Sequence, residues 1–121
     1  MEPTVDTAGS GAPAERVAEH ADSFRDANEA IHAKARGWEM TGLLPTICEC
    51  ADTSCTELLH VTAAQYEAVR GNSRWFINAP GHHAKGQGWA RVVAEYELYI
   101  VVEKIGEVGE IVERLDPRSV P

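Results

Sequence analysis

All three cysteines of this 121-residue chain fall within positions 48–55, in the run TICECADTSC from Thr46 to Cys55. An odd number of thiols cannot pair completely within one chain, and thiols in a reducing compartment are normally not paired at all. In an extended strand, side chains two apart share a face. Cys48 and Cys50 therefore project together with Glu49 opposite, and residues 51–54 are enough to reverse the chain and return Cys55 to the same point. Three sulfurs converging at a hairpin tip match what a tetrahedral zinc site requires, with zinc–sulfur distances of about 2.3 Å. Asp52, Thr53 and Ser54 suit a tight loop whose amides donate to the sulfurs. The competing reading is three small buried hydrophobes, since free cysteine is among the most buried residue types. It leaves both the clustering and the turn-forming residues without a reason.

A neutral imidazole would complete such a site without changing its charge. His60 is near in sequence, in the strand-like run ELLHV; His82 and His83 follow the Pro80-Gly81 turn signal; His20 and His32 lie on the first helix. A rigid Pro-Gly bend can aim one imidazole at the hairpin tip, but spacing alone leaves the choice open.

The elements that must position these groups read as a small α+β domain over residues 14–121, behind a Gly/Pro/Ala-rich tail expected to be disordered over residues 1–13. Val17, Ala21, Phe24, Asn28, Ile31 and Ala35 step by four and three, which puts them on one helical face ending near Gly37. Asn28 on that stripe needs partners if buried. Either the helix lies on a sheet with Asn28 holding a neighbouring backbone, or it forms a coiled-coil seam through which the chain would be a homodimer rather than a monomer. Leu43–Cys50 and Glu57–Val61 read as strands. Thr62-Ala63-Ala64-Gln65 is a capping box opening a helix to about Arg70. Trp75–Asn78 is a short strand, His82–Gly88 a Gly-rich loop expected to be mobile, Ala90–Tyr96 and Leu98–Lys104 a hairpin, and Glu107–Leu115 a terminal helix before Pro117. The sheet is expected to be small and antiparallel.

Composition narrows the function. The hydrophobic fraction of 44% and charged fraction of 25% are those of a soluble globular chain. A net charge of −8 argues against general nucleic-acid binding. The most hydrophobic run, YIVVEKI, is interrupted by a lysine, so no membrane span is expected. The N-terminus lacks the basic and apolar regions of a secretory signal, and the expectation is cytoplasmic. No acidic residue lies between Glu67 and Glu95, whereas Arg70, Arg74, Lys85 and Arg91 do, beside Trp75 and Trp89. These four cations are candidate contacts for a small anion or a protein partner. The H-x-E with P-C-x-x-C pattern of zinc deaminases, the H-E-x-x-H motif and the Gly-x4-Gly-Lys phosphate loop are all absent from the sequence. A Cys–His nucleophilic pair using Cys50 or Cys55 is one catalytic option.

The segment from Ile47 to His82 resembles a group of small, uncharacterised bacterial proteins, mainly actinobacterial. They share a C-E-C…C segment, a Y-E-x-V-R helix and F-x-x-x-P-G-H. Those elements are here Cys48, Glu49, Cys50 and Cys55, then Tyr66, Glu67, Val69 and Arg70, then Phe76, Pro80, Gly81 and His82. An F-R-x-x-N-E-x-I helix (Phe24 to Ile31), a V-V-E-K strand (Val101 to Lys104) and Asp116-Pro117-Arg118 extend the likeness over most of the chain. The resemblance implies that His82 is the fourth ligand, although the residue after that histidine, commonly acidic in the group, is His83 here. It implies no activity. The expectation is a structural zinc held by three cysteines and one histidine, Cys48, Cys50, Cys55 and His82, in a binding or regulatory module. A zinc–thiolate redox sensor and a small zinc enzyme are the alternatives.

Overall fold

The computed structural model describes residues 13–50, 52, 54–82 and 88–119; residues 1–12 of the expected N-terminal tail and residues 83–87 of the expected mobile loop, His83 and Lys85 among them, lie outside these. The element order is α1 (Pro13–Gly37), β1 (Leu44–Ile47), β2 (Leu58–Val61), α2 (Ala63–Arg70), β3 (Trp75–Asn78), β4 (Ala90–Glu95), β5 (Ile100–Lys104), α3 (Gly106–Leu115) and a 3-10 turn at Pro117–Ser119. The architecture is α+β, as the sequence predicts. Its strands divide into two antiparallel sheets, β1–β2 and β3–β5–β4. No helix among the described residues is long and apolar enough to cross a membrane.

The strand period of two sorts the three-stranded sheet into two cores. Phe76, Ile100 and Val102 face Ala14, Ala18 and Ala21 of α1 and Val108, Ile111 and Val112 of α3. Ile77 and Val101 face the other way, onto Leu59 and Val61 of β2 and Tyr66 and Val69 of α2, and this second core includes Cys48 and Cys50. α2 begins at the capping box read from the sequence: Thr62 accepts from the Gln65 amide at 3.1 Å, and the Gln65 side chain accepts from the Thr62 amide at 2.8 Å. α3 approaches β5 so closely that a Cβ at Gly109 would stand 2.6 Å from the Lys104 carbonyl oxygen.

α1 buries a stripe rotated from the one its apolar residues predict. Arg25 and His32 are buried, whereas Phe24 and Ile31 are only partly so. The reason is polar. Arg25 donates to the Ser73 and Val112 carbonyls at 2.8 and 2.9 Å and stacks its guanidinium 4.7 Å from the Phe76 ring centre. His32 bonds the Thr46 hydroxyl through Nε2 at 2.9 Å and stacks on Tyr66. Asn28 clasps one peptide of β1, accepting from Ile47 N at 2.7 Å and donating to Ile47 O at 2.8 Å. Of the two arrangements that a buried Asn28 allows, the described chain uses the one in which it holds a neighbouring backbone.

The far side of α1 joins α2 to the C-terminal end through charge. Arg70 donates to both oxygens of Asp116 at 3.1 and 2.6 Å and to Glu29 at 2.6 Å. Arg118 bridges Glu29 and Glu67. Burial by itself would raise the Asp116 carboxyl, but the Arg70 guanidinium, the Arg118 amide and the Arg25 charge together hold the group below its ordinary value. A carboxyl depressed in the folded state contributes stability above its unfolded pKa and loses that contribution as pH falls through the folded value. Asp116→Asn is therefore expected to destabilise the protein by about 3–5 kcal/mol at neutral pH, the scale for stranding a buried partner. In urea melts the gap between variant and parent should narrow as pH drops below the normal carboxylate range. A gap independent of pH would contradict this.

Candidate metal centre

The ladder of β1 and β2 continues one bond past the strands, from Cys48 N to Glu57 O at 3.2 Å. The chain then leaves the ribbon and crosses to β3. Glu49 N donates to Ile77 O at 2.8 Å, while the Glu49 carboxylate accepts from Ile77 N at 2.9 Å and from Asn28 Nδ2 at 2.8 Å. Alternation thus sends Glu49 beneath α1 and the two flanking sulfurs to the opposite side. The Glu49 side chain is wholly buried. Burial pushes its carboxyl up to about 7, while the Asn28 and Ile77 donors pull the other way.

His82 reaches the same place from β3. Ala79-Pro80-Gly81-His82 is a tight turn closed by His82 N to Ala79 O at 3.0 Å, with Gly81 at φ +84° in its third position. That is the type II arrangement, in which proline suits the second position and the third requires a left-handed backbone. The Asn78 side chain holds the His82 carbonyl at 3.0 Å. Ala79 N donates to Cys48 Sγ at 3.1 Å, so the turn is fastened to the sulfur cluster directly.

The result is one group of four donors, from Cys48, Cys50, Cys55 and His82, all within 4.8 Å of one another. His82 Nδ1 lies 3.6 Å from Cys48 Sγ and 3.5 Å from Cys55 Sγ. A tetrahedral ion with sulfur at about 2.3 Å and imidazole nitrogen at about 2.0–2.1 Å demands sulfur–nitrogen edges of about 3.5–3.6 Å. The donor set and its spacing fit a zinc-sized ion. Burial raises the Cys48 and Cys50 thiols above their ordinary value, opposed by amides of Ala79 and Cys50 at Cys48 and of Asp52 at Cys50. A cation held by these sulfurs would supply the compensation that the amides begin, since a coordinating thiol is deprotonated outright.

The centre is asymmetric. Cys48 and Cys50 are buried, whereas Cys55 is half-exposed. Cys55 and His82 line an open recess of about 280 Å³ together with Asp52, Ser54, Thr56 and Glu57.

Of the other histidines described, His60 is exposed on β2, His32 is committed to Thr46, and His20 packs beside Phe24 on α1. The basic residues do not form a free cluster among the described residues. Arg70 is buried between Glu29 and Asp116, Arg74 bonds Glu113 at 2.8 Å, and Arg91 bonds Glu103 at 2.7 Å. The bond made by Glu49 between the two sheets is what the sequence reading missed. Alternation did place its side chain opposite the sulfurs, and a carboxylate between two core-facing cysteines was the available signal.

The Gly81 turn generates a direct test. A Cβ in the left-handed region costs about 1–2 kcal/mol, so Gly81→Ala should lower the urea midpoint and weaken metal retention together. Gly37→Ala, with open space around it and no left-handed backbone, should do neither. Equal behaviour of the two variants would detach the turn from the site.

Compared with protein-family models, with curated proteins and with solved structures, the chain matches none of them.

Proposed function

We propose that the protein is a small zinc-binding module whose centre of three cysteines and one histidine is structural, and that it serves a binding or regulatory role in the cytoplasm. One observation carries the reading: four zinc-type donors from separate chain segments converge within 4.8 Å of one another, and two of the sulfur–nitrogen separations, 3.5 and 3.6 Å, match the edge of a zinc tetrahedron. Thiolate and imidazole together select zinc over the hard, oxygen-preferring divalent ions. All three cysteines are free thiols, as zinc ligation in a reducing compartment requires.

The fastening itself supplies the structural argument. An isolated two-stranded ribbon is marginal in water. Zinc held by Cys48, Cys50, Cys55 and His82 would tie β1–β2 to the turn leaving β3, closing the chain around α2. When bound, the ion supplies a positive charge to three buried or half-buried sulfurs and a fixed joint between the sheets. The partner is a protein or a small anionic ligand. Its contact falls more naturally on Arg74 and Arg91, at 33% and 67% side-chain exposure, than on the buried Arg70.

Native mass spectrometry of the untagged protein should show one zinc per chain, lost in acid and absent from Cys50→Ser. Chelation should lower Tm by on the order of 10 °C. His82→Ala should weaken zinc binding. If His82 instead served as an acid–base group beside an ion held by the three sulfurs alone, the same change would leave zinc content intact, and the structural reading would fail.

A further inference from the structure

The exposure of the four ligands divides along a line that has chemical consequences. Cys48 Sγ is in the core, 1% exposed, and holds the Ala79 amide at 3.1 Å. Cys50 is equally buried. Cys55 instead borders the solvent-open recess next to His82. Metal-bound sulfur is thiolate, and oxidation follows thiolate character and access together. Only one of the three sulfurs offers both, and the other two lie within 4.8 Å of it.

We propose that Cys55 is a peroxide-reactive site, and that its oxidation ends in a Cys50–Cys55 disulfide that expels the zinc. The inference rests on the zinc reading above. In the first step the Cys55 thiolate attacks one oxygen of hydrogen peroxide. The S–O bond forms, the O–O bond breaks, and hydroxide leaves with sulfenic acid on Cys55. In the second step the Cys50 thiolate attacks that sulfur. The S–S bond forms, the S–O bond breaks, and a second hydroxide leaves. Two protons from solvent convert both hydroxides to water, so two thiolates are oxidised by two electrons and one peroxide is reduced.

Cys50 is the partner for reasons of position. Cys48 and Cys50 are two apart on an extended segment, which sets their Cα atoms about 6.4–6.8 Å apart, at the long limit for an unstrained disulfide. Cys48 is also anchored to the β3 edge by the Ala79 amide, whereas Cys50 and Cys55 bracket one short loop. Once both sulfurs are withdrawn, zinc keeps only Cys48 and His82, half of a tetrahedral set, and dissociates. The metal's share of the joint between the two sheets is then lost, leaving the Glu49 bonds to Ile77, which makes peroxide the input and a loosened β1–β2 ribbon the output.

The test uses the full zinc-loaded chain, with hydrogen peroxide and, separately, limiting N-ethylmaleimide. Peroxide should release the one zinc to a chromogenic chelator as the disulfide forms. Peptide mapping after alkylation should find Cys50 joined to Cys55 and Cys48 alkylated. A dithiol reductant with added zinc should restore the metal. Limiting maleimide should modify Cys55 first. A first adduct on Cys48 or Cys50, or zinc retained while peroxide is consumed, overturns this inference and leaves the structural zinc standing. A chain that takes up no zinc overturns both.

Discussion

Two sheets in this protein share no strand, and what joins them is a three-residue segment whose side chains alternate. From Cys48 to Cys50 the chain sends two sulfurs one way and a carboxylate the other. Glu49 completes the outer edge of β3 with both its backbone amide and its side chain, and Asn28 of α1 holds the carboxylate from above. The sulfurs meet Cys55 and the Pro-Gly-His turn on the opposite side. A buried carboxylate and a cluster of buried thiols are each unfavourable alone. Placed back to back on one strand extension, each is satisfied by elements that the other helps to hold.

A second polar assembly closes the molecule at the far side of α1. Arg25, Arg70 and Arg118 draw in Asp22, Glu29, Glu67 and Asp116, from two helices and the C-terminal turn. Arg25, Asn28, Glu29, Glu67, Arg70, Asp116 and Arg118 all take part in this network or in the Asn28 clasp. Their physical role is to orient α1, which in turn carries Asn28 to Ile47 and Glu49. The four-donor cluster and the charge network are thus connected through one helix.

The cysteine cluster was legible because its meaning is local. Period-two alternation, turn-forming residues and a short return fix where three sulfurs go without knowledge of the rest of the fold. The capping box at Thr62 was legible for the same reason. The division into two sheets was not, because strand pairing joins Trp75 to Glu103 and Leu44 to Val61 across distances that no short pattern encodes. Nor was the burial of Arg25 and His32, which an apolar stripe excludes by construction. Their partners, Ser73, Val112 and Thr46, lie 14 to 87 residues away. His82 sits between these cases. The Pro-Gly bend was visible, but its aim is set by the Ala79 amide on Cys48, a contact 31 residues long in sequence.

The central claim is that one ion is held by three sulfurs and one imidazole. Zinc K-edge X-ray absorption on the full chain tests it most directly. The account predicts three sulfur scatterers at about 2.3 Å, one nitrogen at about 2.0–2.1 Å, and the outer-shell signature of a single imidazole. A shell with fewer than three sulfurs, one made of oxygen and nitrogen alone, or a chain that takes up no zinc would contradict it.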